Sequence, residues 1–514
     1  MTSPVKNFYK NQNVLLTGGT GFFGKMIMEK LLRTTEINCV YLIVRQKKDV
    51  GFEKRATNLI KEEIFSNIDD SKGGKWHAIE GDLREEGLGL TDDTKQFLRE
   101  NINIVFHCGA SLNMNASLAD AVMTNVNGTA ELLEVMKGAT SLKAFVQVST
   151  AYSNCLHKTI EEKLYEPPID PELLIKIAKE MKPELLNSIS KGFVGQYPNS
   201  YVFTKSVAEN LLQKKGGQLP IGLFRPTIVT SAVSEPFPGW TDNVYGPLGI
   251  LLSEHCGILR VARGNGSIKA DTVPGDMVIN ALLCFAWDVY NTWVHDFLNY
   301  EPKVLNFSGY DSPLYISIKE YTDRAAASGF PPFKKAIWSP VLYIVENKHL
   351  FNSLSFVLQT VPAFVFDTLL MLTCQKPRMR KIYSKIAKLS DVLSYFVLNE
   401  WTIKNNNVKA LWEKLSPADR VTFHFDLSSI NVDEYLKNIL MGLKKYILKE
   451  DMSKIEYHKE RYRRLLFFHK IVKYLFVVLL SFPILKALLL YFARPLLTSH
   501  LGKIFSEFWY SIRS

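Results

Sequence analysis

Short runs of apolar residues alternate with longer stretches in which apolar residues recur every three to four positions, up to about residue 310. Short apolar runs are typical of strands buried on both faces, and the three-to-four spacing is typical of helices packed against them. Helical spacing is clearest in Gly24–Arg33 and Asn125–Lys137. Seven strands are predicted, at Val14–Leu16, Cys39–Val44, His77–Glu80, Ile104–His107, Ala144–Val148, Gly222–Phe224 and Val304–Phe307. The alternation predicts an α/β fold with a doubly wound parallel sheet.

The pattern becomes mainly helical beyond the breaks at Pro331-Pro332 and Ser339-Pro340. Amphipathic stretches at Asp391–Trp401 and Val432–Tyr446 are typical of helices that cover an apolar core. We therefore expect three regions, at 1–340, 341–450 and 451–514, of which the second is a mainly helical domain.

Two longer apolar runs raise the question of a membrane. Tyr474–Ala493 is long enough, at about 1.5 Å per residue, to cross a hydrocarbon core of about 30 Å. Positive charge before it predicts a cytosolic N-terminal side, and the cluster comprises Lys454, Lys459, Arg461, Arg463 and Arg464. Pro483 and Lys486 interrupt the run, so a span, a re-entrant anchor and an amphipathic hairpin on the surface all stay open, with the hairpin least favoured.

The second run, Leu354–Thr373, contains Gln359, Pro362 and Asp367. These polar groups are costly in lipid, so we expect a helix that is buried in protein or lies against the membrane.

Composition and charge limit the kinds of ligand that the chain is expected to bind. The net charge of +11 suits phosphate-bearing ligands or an anionic membrane surface, but no basic block with aromatic residues indicates nucleic acid. The six cysteines lie far apart without a C-x-x-C pair, which argues against disulfides and a zinc site, and we expect no metal.

A glycine-rich turn follows the first predicted strand. A strand, a glycine turn and a helix together form the usual cradle for a dinucleotide pyrophosphate, and they indicate a Rossmann-type sheet. The candidate cofactor-binding residues of this turn are Thr17, Gly18, Gly19, Thr20, Gly21, Phe22, Phe23 and Gly24.

The end of the second strand carries cations where an NAD-binding site usually has a carboxylate. Arg45 and Lys48 there favour the 2′-phosphate of NADPH. Asp82, before Leu83 at the end of the third strand, is placed to accept a hydrogen bond from the adenine amino group. Gly109, after the fourth strand, allows the backbone to pass close to the cofactor.

Tyr201 and Lys205 are spaced to share one face of a helix. A neighbouring ammonium is expected to lower the pKa of the phenol and to prepare it for proton transfer. Lys205 is also a candidate contact of the nicotinamide ribose. Thr150 and Ser149, at the end of the fifth strand, are both candidates for a hydrogen bond to a substrate carbonyl, with Thr150 slightly ahead.

Residues 13–310 resemble the extended short-chain dehydrogenase/reductases, and the whole chain resembles the alcohol-forming fatty acyl-CoA reductases. The N-terminal resemblance rests on Thr17–Gly24, Gly81–Leu83, Asn125–Thr129, Ser149–Tyr152, Tyr201–Lys205, Arg225–Val229 and Asp271–Met277. The C-terminal resemblance rests on Val361–Ala363, Asp367, Gln375–Met379, Asn399–Trp401 and Phe423–Asp426. Gln359 and Asn399 stand where many members have histidine, which removes any role for those histidines.

The resemblance implies reduction of a long- or very-long-chain fatty acyl-CoA to a primary alcohol by two NADPH, through an aldehyde. The product would supply ether-lipid, wax or cuticular lipid synthesis. Tyr201, Lys205, Thr150 and Ser149 would be catalytic, and Pro226 and Thr227 would join the cofactor site. The same resemblance implies a membrane-bound enzyme of the peroxisome or the endoplasmic reticulum, with a homo-oligomer as one open state.

Two further expectations concern the site. Cys155 is expected to be a buried thiol, because hydride attack on the thioester needs no nucleophilic cysteine. The long connection between Thr150 and Tyr201, which contains Leu173–Lys179, Pro183–Ser188 and Gly192–Gly195, predicts a helical lid over the acyl site, with a peripheral insertion as the alternative. The alternatives are a reductase of a sterol or another lipid carbonyl, and an NADP-binding scaffold.

Overall fold

A seven-stranded parallel sheet forms the centre of the molecule in a computed structural model that describes residues 2–47, 50–69, 74–330 and 332–513. The strand order is β3-β2-β1-β4-β5-β7-β11, which confirms the Rossmann-type, doubly wound sheet. The seven strands are β1 (Asn13–Thr17), β2 (Cys39–Val44), β3 (Trp76–Glu80), β4 (Ile104–His107), β5 (Ala144–Val148), β7 (Ile221–Pro226) and β11 (Lys303–Phe307).

Six shorter strands form three parallel pairs outside this sheet. They are β6 (Thr159–Ile160), β8 (Ile228–Thr230), β9 (Val261–Arg263), β10 (Thr272–Pro274), β12 (Tyr343–Val345) and β13 (Thr402–Ile403). β8 pairs with β10, β9 with β12, and β6 with β13.

Helices cover both faces of the sheet and make up most of the C-terminal half. The helices are α1 (Pro4–Tyr9), α2 (Phe22–Thr34), α3 (Phe52–Ile60), α4 (Asp92–Asn101), α5 (Leu118–Ala121), α6 (Gly128–Met136), α7 (Pro171–Glu180), α8 (Pro183–Val194), α9 (Ser200–Lys215), α10 (Pro247–His255), α11 (Gly275–His295), α12 (Ile318–Ala327), α13 (Lys348–Ser355), α14 (Val361–Leu372), α15 (Met379–Val397), α16 (Asn406–Lys414), α17 (Pro417–Thr422), α18 (Val432–Gly442) and α19 (Ile455–Arg513). Wider π turns occur at Val122–Asn127, Phe356–Thr360 and Leu443–Ile447.

Adjacent residues of each strand point to opposite faces of the sheet, and both faces are apolar. Leu16 belongs to the core beneath α2 and α11, whereas Leu15 belongs to the core beneath α6 and α9. The strand order reverses between β1 and β4, and ligands of such sheets bind at the carboxyl ends of the strands at that point. The loops after β1 and β4 therefore frame the candidate site.

The C-terminal region is attached to the sheet domain by short strands and by buried side chains. β12 adds to β9, and β13 adds to β6. The buried Tyr435 hydroxyl donates to the Ser231 carbonyl at 2.8 Å. These contacts fix the position of α15 and Trp401 beside the loops after β5. The helical character predicted for 341–450 is confirmed, whereas the boundary at residue 340 stays a prediction.

The two apolar runs form helices of different kinds. The predicted anchor Tyr474–Ala493 lies within α19, a single helix of 59 residues, and not within a hairpin. Within the described ranges, Lys348–Leu372 is the helical run that is long and apolar enough to cross a membrane. Only 17% of the most apolar stretch of this run is buried inside the protein. Of the two expectations for this run, a location inside the protein is therefore wrong, because most of its apolar side chains are exposed.

Candidate active site

The glycine turn connects β1 to α2 in the way a dinucleotide site requires. Gly18 has a φ of +71°, and a Cβ there would lie 2.8 Å from the amide nitrogen of Gly109. A Cβ on Gly24 would lie 2.4 Å from the carbonyl oxygen of Gly18, so only glycine lets α2 approach the turn. No described side chain caps α2 at Gly21, which leaves the amides of its first turn available to an anion.

Thr17 supports this turn from inside the protein. Its buried hydroxyl accepts a hydrogen bond from the Gly109 amide at 3.1 Å and lies 2.6 Å from Nδ1 of His107. Nε2 of His107 is 3.1 Å from the Thr129 hydroxyl, which itself donates to the Asn125 carbonyl. Burial and the nearby Lys205 cation lower the pKa of His107 to about 3, so the ring is neutral. This network holds the loops after β1 and β4 together.

Two guanidinium groups meet beside the glycine turn. Arg45 follows β2 and is exposed. Arg55, on α3, donates from Nη1 to the Arg45 carbonyl and from Nη2 to the Thr20 hydroxyl at 3.2 Å. Burial, and to a lesser degree the Arg45 charge, lowers the pKa of Arg55. Lys48, the other predicted cation, lies outside the described residues.

Asp82 and Leu83 follow β3 on the other side of the turn. The Asp82 carboxylate accepts from Nη2 of Arg84 at 2.9 Å. Burial opposes its ionisation, but the Arg84 bonds prevail and lower the pKa of Asp82. Leu83 fills the space between Gly109 and Gly128, where added Cβ atoms would meet its side chain at 2.6 and 2.8 Å.

The predicted catalytic helix is α9, and it turns polar residues toward the end of β5. Lys205 is buried, and its Nζ donates to the Val148 carbonyl at 2.8 Å. Tyr201 lies one turn earlier and packs against a small cluster that contains Trp401 and Ile403 of the C-terminal region. Thr150 begins the short helical turn Ala151–Asn154, against which α9 packs. Tyr201, Lys205 and Thr150 are thus brought to one edge of the sheet.

The Thr150 hydroxyl accepts from the Tyr152 amide at 3.3 Å, which leaves its proton for a ligand, whereas the Ser149 hydroxyl donates its proton within the protein. It donates to Oε1 of Glu209 at 2.5 Å. Glu209 lies one turn after Lys205 on α9 and forms a buried, bidentate ion pair with Arg225, at 2.6 and 3.1 Å. Ser149 therefore connects β5 to this ion pair, and of the two hydroxyl candidates Thr150 is the one that stays available.

The expected lowering of the Tyr201 pKa by Lys205 is not found. Burial, reinforced by the Glu209 carboxylate, raises the pKa of Tyr201. Burial also lowers the pKa of Lys205 to about 8, against the opposing influence of Cys108 and Glu209. The phenol is therefore a neutral hydrogen-bond donor at pH 7, and the ammonium titrates near neutrality.

An apolar cavity of about 100 Å³ is lined in part by Tyr152, two residues after Thr150, whereas Thr150, Tyr201 and Lys205 are not among the described residues that line it. Tyr152 forms one wall and contacts the rings of Phe396 and Trp401, each at 5.5 Å between centroids. Leu393 and Val397, also on α15, complete that side. The C-terminal region therefore encloses an apolar space against the loop that carries Thr150.

The predicted lid takes a different position. Its helices exist as α7 and α8, but they pack against α5, α9 and the π turn before α6. Among the described residues that line the cavity, none belongs to either helix, and α15 closes the cavity instead. Leu174 and Leu186 join the core beneath α6 and α9, which holds α7 and α8 there.

The remaining sequence expectations can be placed as well. Cys155 is buried, as expected, and burial raises the pKa of its thiol to about 11, so it is no thiolate nucleophile. Thr227, which follows Pro226 at the end of β7, donates to Asp271 at 2.8 Å. Within the described ranges no group of histidine, cysteine and carboxylate side chains is arranged to hold a metal ion.

Comparison with known proteins decides the family. Two family models described as male sterility protein match residues 16–282 and 358–450, and the first of them is an NAD-binding model. The fatty acyl-CoA reductase wat of Drosophila melanogaster is 38% identical over 473 residues, covering 91% of this chain and 90% of that protein. Fatty acyl-CoA reductase 1 of Mus musculus is 35% identical, with 87% of each chain covered.

The chain belongs to the fatty acyl-CoA reductase family.

As a member, this reductase is an oxidoreductase with a site for a nicotinamide dinucleotide. Solved structures agree on its fold. The terminal reductase domain of the myxalamid biosynthetic pathway superposes with a TM-score of 0.57 at 18% identity, over 84% of this chain and 90% of that chain. A reductase domain of a non-ribosomal peptide synthetase from Mycobacterium tuberculosis gives 0.54 at 16% identity, over 87% and 96%.

Sequence reasoning missed two site residues of the reductase, Glu209 and Arg55, and it did not foresee the contacts of a third, Asn125, which belongs to the Asn125–Thr129 motif. Glu209 continues the four-residue spacing of Tyr201 and Lys205, so the extended pattern could have revealed it. Arg55 has no sequence signal, because only the fold brings it to Thr20. Asn125 donates to the Thr204 hydroxyl on α9 at 2.9 Å and accepts from the Ser111 amide at 2.7 Å, which connects the loop after β4 to the catalytic helix.

Proposed function

We propose that this reductase converts a long- or very-long-chain fatty acyl-CoA to a primary alcohol with two NADPH. The proposal rests on one observation above all: the edge of the sheet that carries Tyr201, Lys205 and Thr150 also carries Tyr152, which lines an apolar cavity enclosed by the C-terminal region. A hydrogen-bond donor beside an apolar cavity suits a carbonyl at the end of a hydrocarbon chain. The similarity to named fatty acyl-CoA reductases supports the thioester as that carbonyl.

The residues around the glycine turn fit a dinucleotide, and the adjacent cations favour NADPH over NADH. The uncapped amides of α2 would hold the pyrophosphate, and Arg45 with Arg55 would hold the 2′-phosphate. Salt bridges from either arginine to a carboxylate are absent from the described parts of the chain, so both charges are available. Bound NADPH supplies the hydride.

The side chains of the site can supply the proton and stabilise the negative charge that the two reduction steps require. Thr150 and the neutral Tyr201 phenol would donate hydrogen bonds to the carbonyl oxygen, where negative charge builds up. Collapse of the thiohemiacetal expels the CoA thiolate, whose conjugate thiol has an ordinary pKa near 8.5. The phenol would then protonate the alkoxide formed from the aldehyde, and Lys205 would keep the local charge balanced.

The proposed enzyme is bound to a membrane of the peroxisome or the endoplasmic reticulum. Its anchor would be the 474–493 part of α19, with the reductase domain on the cytosolic side. The apolar side chains exposed along this part support that view, among them Tyr474, Leu475, Val478, Phe482, Leu489 and Phe492.

The test is a product analysis with the detergent-solubilised full chain. A saturated long-chain acyl-CoA is incubated with NADPH or NADH, and the products are identified by mass spectrometry. Fatty alcohol at two NADPH per acyl-CoA is the expected result. Turnover of a free sterol and not of acyl-CoA would contradict the proposal and favour a sterol reductase. If NADPH binds but is oxidised with neither acyl-CoA nor sterol, the result would favour a scaffold.

A further inference from the structure

The helical run Lys348–Leu372 inverts the usual arrangement of a surface helix. Its buried side is narrow and polar or small, with Gln359, Ala363 and Asp367 at four-residue spacing. Its outer side is broad and apolar, and Phe356, Val361, Phe364, Val365, Leu369 and Leu372 are each between 43 and 76% exposed. We call this outer side the docking face.

The polar side of the run is attached to the protein by hydrogen bonds. The Gln359 side-chain oxygen accepts from the amides of Arg260 and Val261, at 3.0 and 3.3 Å. The Asp367 carboxylate accepts from the amides of Arg378, Met379 and Arg380, at 2.8 to 2.9 Å, and so caps α15.

These attachments decide how the run meets a bilayer. If it crossed the bilayer, Arg260, Arg378 and Arg380 would have to lie at membrane depth with it, at high cost. If it lies in the plane of the bilayer, the polar side stays on the protein and only the docking face enters lipid.

The charges around the docking face match an anionic lipid surface. Between Lys348 and Ser390 the chain has seven lysine and arginine residues but one carboxylate, the buried Asp367. Lys381, Lys385 and Lys388 are exposed on α15, which begins where the run ends. Cations beside an apolar helix face are typical of helices that rest on anionic headgroups.

The apolar tail passes close to the same surface. Arg260, whose amide bonds to Gln359, lies 5.1 Å over the ring of Trp338. The Trp338 indole donates to Nδ1 of His469 on α19 at 2.9 Å. The run and the start of the apolar part of α19 are therefore neighbours on one side of the molecule.

We propose that Lys348–Leu372 is not a transmembrane span but a docking helix, whose outer face rests in the cytosolic leaflet of an anionic phospholipid bilayer. The docking face contacts lipid, and the polar side attaches the helix to the enzyme.

The experiment maps the accessibility of cysteines in sealed microsomes that contain the full chain. Native Cys374 is exposed after the C-terminal end of the run, and Asn352→Cys marks its N-terminal end. Phe364→Cys marks the docking face. Each introduced cysteine is made in a Cys374→Ser background, and each protein is treated with a membrane-impermeant maleimide before and after detergent. Ser141→Cys, exposed on the reductase domain, reports the cytosolic side.

Docking predicts that Asn352→Cys, Cys374 and Ser141→Cys react without detergent, whereas Phe364→Cys reacts only after detergent is added. Labelling of only one end before detergent would show a span and overturn the proposal. Rapid labelling of Phe364→Cys in sealed microsomes would show that no bilayer covers the face. Protection of Phe364→Cys that persists in detergent would show a protein partner instead. Labelling reports these positions whether or not the protein reduces acyl-CoA.

A charge variant tests the lipid class. In vesicles of phosphatidylcholine with phosphatidylserine, Lys381→Glu together with Lys385→Glu should speed labelling of Phe364→Cys several-fold. Lys176→Glu with Lys182→Glu, exposed on α7 and before α8, is the matched control and should leave the rate unchanged. Equal rates in all three proteins would overturn the assignment of the α15 cations to lipid headgroups.

Discussion

Helix α9 and the docking helix break the rule of apolar inside and polar outside in opposite directions. In α9 the polar side chains of Lys205 and Glu209 are buried against the end of β5 and the turn that follows it. In the docking helix the phenylalanines at 356 and 364 are exposed, while Asp367 is buried.

The difference teaches what each violation is for. Burying polar groups costs free energy unless each has a partner, so a buried polar face indicates chemistry or a network. Exposing an apolar face costs free energy in water, so it indicates another solvent or a partner. In both helices the residues of the polar, buried side recur every four positions. What these residues contact, and what the opposite face contacts, indicates the role of each helix.

The largest effect is expected at the polar face of α9. Tyr201→Phe removes the proton donor but keeps the ring, and turnover should fall by roughly 10²- to 10⁴-fold while NADPH still binds. Steady-state NADPH oxidation and a fluorescence titration of NADPH measure the two quantities. Tyr197→Phe is the control, because its hydroxyl bonds to Ser206 at 3.1 Å and should hardly affect turnover. Equal losses in both variants would contradict the assigned role.

The next effect is on stability. Glu209→Gln leaves the Arg225 guanidinium, which is 0% exposed, without a counter-charge, and this should cost about 3–5 kcal/mol of unfolding free energy. Chemical denaturation in detergent, followed by tryptophan fluorescence, measures the loss. Adding Arg225→Met should restore part of it, since the unpaired charge is then gone. Glu161→Gln breaks an exposed pair with Lys163 and should have no measurable effect.

Cofactor discrimination should respond less strongly. Arg55→Gln removes one of the two guanidinium groups at the glycine turn, so NADPH should bind about tenfold more weakly, while NADH binding should not change. Competition by 2′,5′-ADP gives a readout that is independent of turnover. Lys54→Gln, exposed on the same helix, is the control. An equal loss for both cofactors would mean that Arg55 only supports the fold of the turn.

Raising the pH should lower kcat/KM by a moderate amount. Because the pKa of Lys205 is lowered to about 8, its cation is present below that pH and is lost above it. The value of kcat/KM should therefore fall up to tenfold per pH unit above about 8. Lys205→Arg keeps its charge and should extend the plateau upward. A flat profile to pH 10 in the unmodified protein would contradict the assignment.

The smallest effect concerns the polar face of the docking helix. Asp367→Asn weakens the cap of α15, so the amides of Arg378, Met379 and Arg380 should exchange with deuterium faster. Mass spectrometry of the full chain measures the exchange. Asp391→Asn, exposed later on α15, should leave these amides unchanged. Unaltered exchange in Asp367→Asn would show that the carboxylate does not hold the two helices together.

The sequence predicted the central sheet closely, because strands buried on both faces appear as continuous apolar runs. Each of the seven strands was found, with ends that differ by at most two residues; Gly222–Phe224, for example, extends to Ile221–Pro226. The paired strands β6 and β13 were missed, because two residues carry no periodic signal and their partners lie far apart in the chain.

The site was predicted as far as local spacing reaches. Tyr201 and Lys205 share a helix, so their common face follows from the sequence alone. The choice between Ser149 and Thr150 needed the structure, because Glu209 lies 60 residues from Ser149. The raised pKa of Tyr201 was also hidden, since burial depends on how Trp401 of the C-terminal region packs against the site.

Because Asp367 caps α15, the length of α15 determines how far the docking helix lies from the cavity. α15 has 19 residues and therefore spans about 28 Å, with its first amides on the docking helix and Phe396 and Val397 in the cavity wall. With the docking helix on lipid, as proposed, α15 would set the separation between the bilayer surface and the cavity. A hydrocarbon chain that passes from the leaflet to the cavity would then travel about the length of this helix, while the soluble coenzyme end of the same molecule would stay in water.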